Sequence, residues 1–227
     1  MSNWKAVLFD MDGVLVNSEP FWREAMIKTF TTAGISFSDE DCRLTTGKRI
    51  DEVVDFWAKH RPFTKKNKEQ VINEIIDNLC QILKENDIEM KGVGESIHEC
   101  RKNQLQIGLA TSSSHKIIDC VLDRLHLNNV FSVIQSAEIL PFGKPHPQVF
   151  LNCAARLNVL PAECIVVEDS VNGVIAGKAA GMFTIAIPEE KCRGDHRFSI
   201  ADLILRDLFD FKDFLQSQQR EISIASY

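Results

Sequence analysis

Four short runs, apolar or nearly so, stop abruptly at polar residues or a proline, and they constrain the fold of this chain more than anything else in it. Residues 6–9 (AVLF) end at Asp10 and residues 107–110 (IGLA) end at a hydroxyl cluster. Residues 164–167 (CIVV) end at Glu168 and Asp169, and residues 184–187 (TIAI) end at Pro188. Runs this short, without polar alternation, suit strands covered on both faces, as in a parallel sheet between helices. Helical spacings lie between them. Ile118, Val121, Leu122 and Leu125 fall at i, i+3, i+4 and i+7. Val149, Phe150, Cys153, Ala154 and Leu157 repeat in the same way behind Pro147, a residue suited to a first helical turn. Strand–helix alternation of this kind predicts an α/β fold with a doubly wound parallel sheet.

Residues 18–86 read differently. Ser18 is an expected helix N-cap, with Glu19 and Pro20 in the first turn. Trp22, Ala25, Met26, Thr29 and Phe30 follow at helical spacing, and Val71, Ile72, Ile75, Ile76, Leu79 and Leu83 form a second apolar stripe. No strand pattern stands out here, so the expectation is an all-helical insertion between the first strand and the rest of the sheet. The tail QSQQREISIASY is polar and expected to be loosely held.

A length of 227 residues allows one sizeable core carrying such an insertion. Net charge is −6, which argues against a general affinity for nucleic acid or anionic membranes. No apolar run approaches the roughly 20 residues that span a bilayer. The start MSNWKAVLFDMDG places acids where a secretory signal would be apolar. Seven dispersed cysteines with no CxxC pair fit buried thiols in a reducing cytosol rather than disulfides or zinc. The expectation is a cytoplasmic monomer without nucleic-acid or membrane partners.

In open α/β sheets, ligands bind beyond the C-terminal ends of the strands. Here those ends carry Asp10 and Asp12, then Thr111, Ser112 and Ser113, then Glu168 and Asp169, with Lys144 on a loop. Two carboxylates one residue apart beside a buried strand repel each other, and a divalent cation relieves that repulsion. Mg²⁺ takes one or two carboxylates and fills its remaining positions with water and phosphate oxygens. Asp10 and Asp169 can be direct ligands and the main-chain carbonyl of Asp12 a third, which leaves the Asp12 side chain free to move protons. Gly13 permits the tight turn this needs.

The stretches DMDGVLVNSEP, GLATSSS, FGKPHPQVF and VVEDSVNGVIAGKAAGM resemble, in order and spacing, the four motifs of haloacid-dehalogenase-superfamily phosphatases. The likeness spans nearly the whole chain. It is greatest to the branch that holds β-phosphoglucomutase and the 2-deoxyglucose-6-phosphate (hexitol) phosphatases. The resemblance implies a Rossmann-like core from residues 1–17 and 87–227 and a helical cap from residues 18–86. It implies Mg²⁺-dependent hydrolysis of a small sugar or polyol phosphate through an aspartyl-phosphate. Asp10 would be the nucleophile, Asp12 the general acid and base, and Lys144 the bridge between Asp10 and phosphate. Asp10, Met11, Asp12, Thr111, Ser112 and Lys144 would contact substrate, and Asp10, Asp12 and Asp169 would hold the metal.

Two rival functions remain at this stage. The mutase branch carries a histidine where Trp22 stands here, and an arginine for a second phosphate near Ile50, where neighbouring Arg49 could substitute. A non-catalytic phosphate-binding protein would normally have lost an acid or the lysine. Glu168 is open between metal ligation and orientation of a partner. Asn17 replaces an aspartate common in the family. Trp22, Trp57 and Phe56 are candidates for either sugar pocket or core, and Lys48 and Arg49 are either surface charges or specificity residues, with a specificity role expected for at least one. His115 and His146 flank motif residues and are read as solvated or structural, while His60, His98, His126 and His196 have nothing near them to suggest a site.

Overall fold

The computed structural model describes residues 4–45 and 48–224. Six parallel strands form one sheet in the order β3-β2-β1-β4-β5-β6. They are β1 (Ala6–Phe9), β2 (Gln106–Thr111), β3 (Val133–Ser136), β4 (Cys164–Glu168), β5 (Phe183–Ala186) and β6 (Leu203–Ile204). The four runs expected from the sequence are β1, β2, β4 and β5. Strand β1 sits at the centre, in register with β2 on one side and β4 on the other. The chain reverses direction there, winding outward to β3 one way and to β6 the other.

Strand residues alternate between two apolar layers. Val7, Phe9, Leu109 and Val167 join one cluster with Ile97, Val121 and Phe211. Ala6, Leu8, Ala110 and Val166 join another with Phe150, Cys153 and Ala176. The first layer comes from α5 (Val93–Lys102), α6 (His115–Arg124) and α9 (Leu208–Ile224), the second from α7 (Gln148–Arg156) and α8 (Val171–Ala179). Phe9, Phe150 and Phe211 are fully buried, and burying a side chain of that size contributes about 1.5–3 kcal/mol each.

Between β1 and α5 lies the helical cap: α1 (Glu19–Thr32), α2 (Asp39–Arg43), α3 (Ile50–His60) and α4 (Lys68–Glu85). Helix α4 buries Val71, Ile75, Ile76, Leu79 and Leu83 of the expected stripe, with Ile72 half-buried, and packs against α1, α3 and α6. Its start is a capping box between Asn67 and Gln70. Helix α1 starts where expected, but Ser18 makes no side-chain cap bond. Its hydroxyl is engaged in the site instead. The tail is helical through Ile224, further than its polar composition suggested. Among the described residues no helix is long and apolar enough to cross a membrane.

Candidate active site

Asp10 ends β1 with its main-chain N–H bonded to the Val167 carbonyl of the neighbouring strand, and is almost fully buried. The chain then turns at once: the N–H groups of Leu15 and Val16 return to the Met11 carbonyl, and that of Gly13 to Val16. Gly13 lies at φ +77°, and a Cβ there would stand 2.0 Å from Oδ2 of Asp169. Glycine thus does two things, taking the left-handed turn and letting Asp169 approach. The Met11 side chain is buried in the apolar layer, so only its main chain is free to meet a ligand.

Lys144 reaches this strand end from the loop after β3. Its ammonium donates to Oδ1 of Asp10 at 2.7 Å, Oε1 of Glu168 at 2.6 Å and the Ala110 carbonyl at 3.0 Å. All three N–H groups are therefore satisfied, and the ammonium also lies 4.7 Å from the ring centre of Phe150. Burial weakens its hold on the proton, but Asp10 and Glu168 outweigh that and keep it above the ordinary lysine range.

Glu168 is fully buried and fully engaged. Oε2 accepts from the main-chain N–H groups of Asp169 and Ser170 and from the Ser170 hydroxyl, each at 3.0 Å. With Lys144 on the other oxygen, this arrangement favours orientation of Lys144 over direct metal ligation. Gly173 makes room for it, since a Cβ there would lie 1.8 Å from the carboxylate.

One ammonium faces three carboxylates. Ligand oxygens of Asp10, Glu168 and Asp169 all lie within 4.8 Å of one another. Burial pushes Asp10 up to about 7, with Lys144 pulling the other way and Glu168 and Asp12 pushing further. Asp169 is raised well above the carboxylate range, by burial first and then by Glu168 and Asp10. A hard dication matches both the oxygen donors and the uncompensated negative charge, so the residues present fit Mg²⁺.

Asp12 sits apart from that cluster and is held by donors. Oδ1 accepts from the Ser18 hydroxyl at 2.5 Å and the Trp22 indole N–H at 3.0 Å, and Oδ2 accepts from the Ser113 hydroxyl at 2.6 Å. Two of the three donors come from the start of the cap. The sequence marks Trp22 as pocket wall, core or the counterpart of the mutase histidine, and does not show that Ser18 and Ser113 help to hold Asp12. The signals for this were the TSSS run and a tryptophan one helical turn beyond Ser18.

Thr111 ends β2, buried, its hydroxyl oxygen accepting the Ser113 N–H at 3.1 Å and its own hydrogen left to donate. The hydroxyls of Ser112 and Ser114 are buried without a hydrogen-bond partner among the described residues. The structure thus gathers Asp10, Met11, Asp12, Thr111, Ser112, Lys144 and Asp169 at one end of the sheet, and adds Glu168, Ser18, Trp22 and Ser113.

Other candidates lie elsewhere. Trp57 is buried inside the cap against Phe37 and Phe56, under Arg61, and is packing rather than pocket. His146 is exposed, and His115 pairs with Glu138 at 2.7 Å on the surface. Asn17 is exposed and uses its main chain to join residue 88. Lys48 is exposed. Arg49 points its guanidinium at carbonyls of the core.

Known proteins resemble this chain in sequence and in fold. The sequence profile of the haloacid dehalogenase-like hydrolases matches residues 4–181. Hexitol phosphatase B of Escherichia coli K12 is 39% identical over 213 residues, covering 92% of this chain and 96% of that protein. β-Phosphoglucomutase of Bacillus subtilis is 29% identical, with 91% of each chain covered. The crystal structure of β-phosphoglucomutase from Clostridium difficile superposes with a TM-score of 0.81 at 25% identity, covering 97% of this chain and 99% of that one.

Proposed function

We propose that this chain, which belongs to the haloacid dehalogenase-like hydrolase family, is a Mg²⁺-dependent phosphatase of small sugar or polyol phosphates that works through an aspartyl-phosphate on Asp10. The carrying observation is Lys144, buried and bonded at once to Asp10 and Glu168, with Asp12, two positions after Asp10, fixed by donors. Hexitol phosphatase B, at 39% identity across nearly the full length, supports the substrate class.

Asp10 and Asp169, with the main-chain carbonyl of Asp12, would hold the ion. When bound, Mg²⁺ supplies the positive charge that lets adjacent carboxylates ionise together and withdraws charge from phosphate oxygens. Lys144 aims the free Asp10 oxygen and offsets charge on the transferring group. Asp10 attacks phosphorus, and the departing alkoxide takes a proton from Asp12. Asp12, now a base, takes a proton from the water that attacks the aspartyl-phosphate, which releases inorganic phosphate and restores both carboxyl groups. Thr111 donates its hydroxyl, and Ser112 its main-chain N–H, to the phosphate oxygens.

The core spans residues 1–17 and 87–227 and the cap residues 18–86 in this reading. Its support is the paired linkers: the Asn17 N–H meets the Ile88 carbonyl at 2.8 Å and the Met90 N–H meets Leu15 at 3.0 Å. Seven free cysteines support a cytoplasmic setting, and the enzyme is taken to act as a monomer.

Phosphate release measured across sugar, polyol and aryl phosphates, with and without EDTA, tests the proposal. Release from a hexose or hexitol monophosphate that stops on chelation supports it. Release that survives exhaustive chelation, or NMR showing the phosphate moved along the sugar rather than freed, overturns it.

A further inference from the structure

Arg49 precedes α3 in the cap, yet its guanidinium bonds to the core. Nη1 donates to the Ala137 carbonyl at 2.9 Å and to the Leu140 carbonyl at 2.6 Å. Nε and Nη2 donate to Asp51 at 3.1 and 2.7 Å, which fixes the plane of the fork. Four of the five guanidinium N–H groups are thus in use, and the side chain is 10% exposed.

The loop it grips is the one that delivers Lys144. At its start, the Ala137 N–H donates to the Thr111 carbonyl at 2.9 Å. At its end, Gly143 immediately precedes Lys144, and a Cβ on Gly143 would meet the Arg49 stem at 3.0 Å. Arg49 therefore touches both ends of a segment running from the phosphate-binding strand end to the lysine that aims the nucleophile. It is the point where the position of the cap meets the position of Lys144.

We propose that Arg49 is a positioning residue, a latch that ties the cap to loop 137–143 and so holds Lys144 in register, rather than a ligand for a second anionic group on the substrate. This rests on the phosphatase reading for its activity arm and on geometry alone for its structural arm. A planar fork spanning two carbonyls is not replaced by a point charge, so lysine is a poor substitute for this role and a fair one for phosphate binding.

Arg49→Lys and Arg49→Ala, compared with wild type, test it by three readouts. Hydrogen exchange of the peptide covering residues 137–143 should speed up in both variants. Turnover of a hexitol monophosphate should fall by about 10- to 100-fold in both, because a small misplacement of a catalytic group costs on that scale. Inhibition by a sugar bisphosphate and by the matching monophosphate should shift in parallel. Rescue by lysine, or a selective loss of bisphosphate binding, overturns the latch in favour of anion binding. Unchanged exchange in the loop overturns it outright. If the wild-type enzyme releases phosphate from no monophosphate, the hydrolase reading fails while the exchange measurement still decides the latch.

Discussion

The indole N–H of Trp22, in the cap, donates to Oδ1 of Asp12, in the core, across 3.0 Å. The same oxygen takes the Ser18 hydroxyl, and the other takes Ser113. The direction in which Asp12 points is therefore set partly by where α1 lies. An indole N–H only donates, so Trp22 can orient Asp12 but cannot exchange a proton with it. A histidine at this position, as in the mutase branch, could do both.

Trp22→Phe keeps most of the ring volume and removes that donor. An alkyl phosphate needs its leaving oxygen protonated, whereas an aryl phosphate does so far less. The variant should lose about tenfold in kcat on a hexitol phosphate and less than about threefold on para-nitrophenyl phosphate, since general acid catalysis is worth about 10²–10⁴ and only orientation is impaired. Equal losses on both substrates would show that Trp22 merely packs.

Asp10→Asn keeps the shape of the nucleophile and removes its charge. Turnover should fall on the order of 10⁴-fold or more, as for other nucleophile deletions. Stability should move the other way. Burial makes the ionised Asp10 costly, holding its carboxyl at about 7, so in metal-free protein at pH 8 the amide should raise Tm by a few degrees. Thermal scans and phosphate assays on one preparation check both halves. Turnover within about 100-fold of wild type contradicts the assignment of Asp10 as nucleophile.

Gly13→Ala tests how closely Asp169 approaches the turn. Position 13 has φ +77°, and the added methyl would fall 2.0 Å from Oδ2 of Asp169. A non-glycine residue in the left-handed region costs about 1–2 kcal/mol, a modest loss of Tm. The larger effect should be on the carboxylate that must move aside. The Mg²⁺ concentration for half-maximal activity should rise by about tenfold or more, the usual cost of disturbing a metal site. An unchanged Mg²⁺ titration would remove Asp169 from the metal site.

The parts legible in the sequence are those where one residue type leaves little choice. Strands β1, β2, β4 and β5 are apolar because helices cover both faces, and the acids and hydroxyls at three of their ends stand out against that background. Strand β3 was not legible. Its Gln135 and Ser136 are buried but polar, satisfied by bonds to the Ser136 and Ser113 carbonyls respectively, and a sequence shows the polarity without the partners. Strand β6 is two residues at the sheet edge, too short to leave a period. Ser18 has the position of a cap, yet it lies in helical rather than extended backbone geometry, so its hydroxyl accepts no local N–H and donates to Asp12 instead. The sequence leaves Lys48 and Arg49 as surface charges or specificity residues, with a specificity role expected for at least one, and only the fold shows that core carbonyls, 88 and 91 residues away, hold Arg49.

Metal, protons and stability are linked through Asp10. Its folded value of about 7 lies above the 3.8 expected when unfolded, and Asp169 is raised in the same direction, each by burial first. Between those limits Asp10 holds its proton in the folded protein and has lost it in the unfolded chain. The contribution is therefore fully present below 3.8 and is lost as pH rises through about 7. Measured against Asp10→Asn, whose other carboxylates are the same, metal-free wild type should lose several degrees of Tm across that window. Mg²⁺ competes with the same protons, so the Tm gained on adding it should be small at pH 5 and grow towards pH 7.5. Asp10→Asn should flatten both trends, which separates this site from the other carboxylates of the chain. A Mg²⁺-induced gain that is equal at both pH values would mean that the ion binds somewhere other than this acidic cluster.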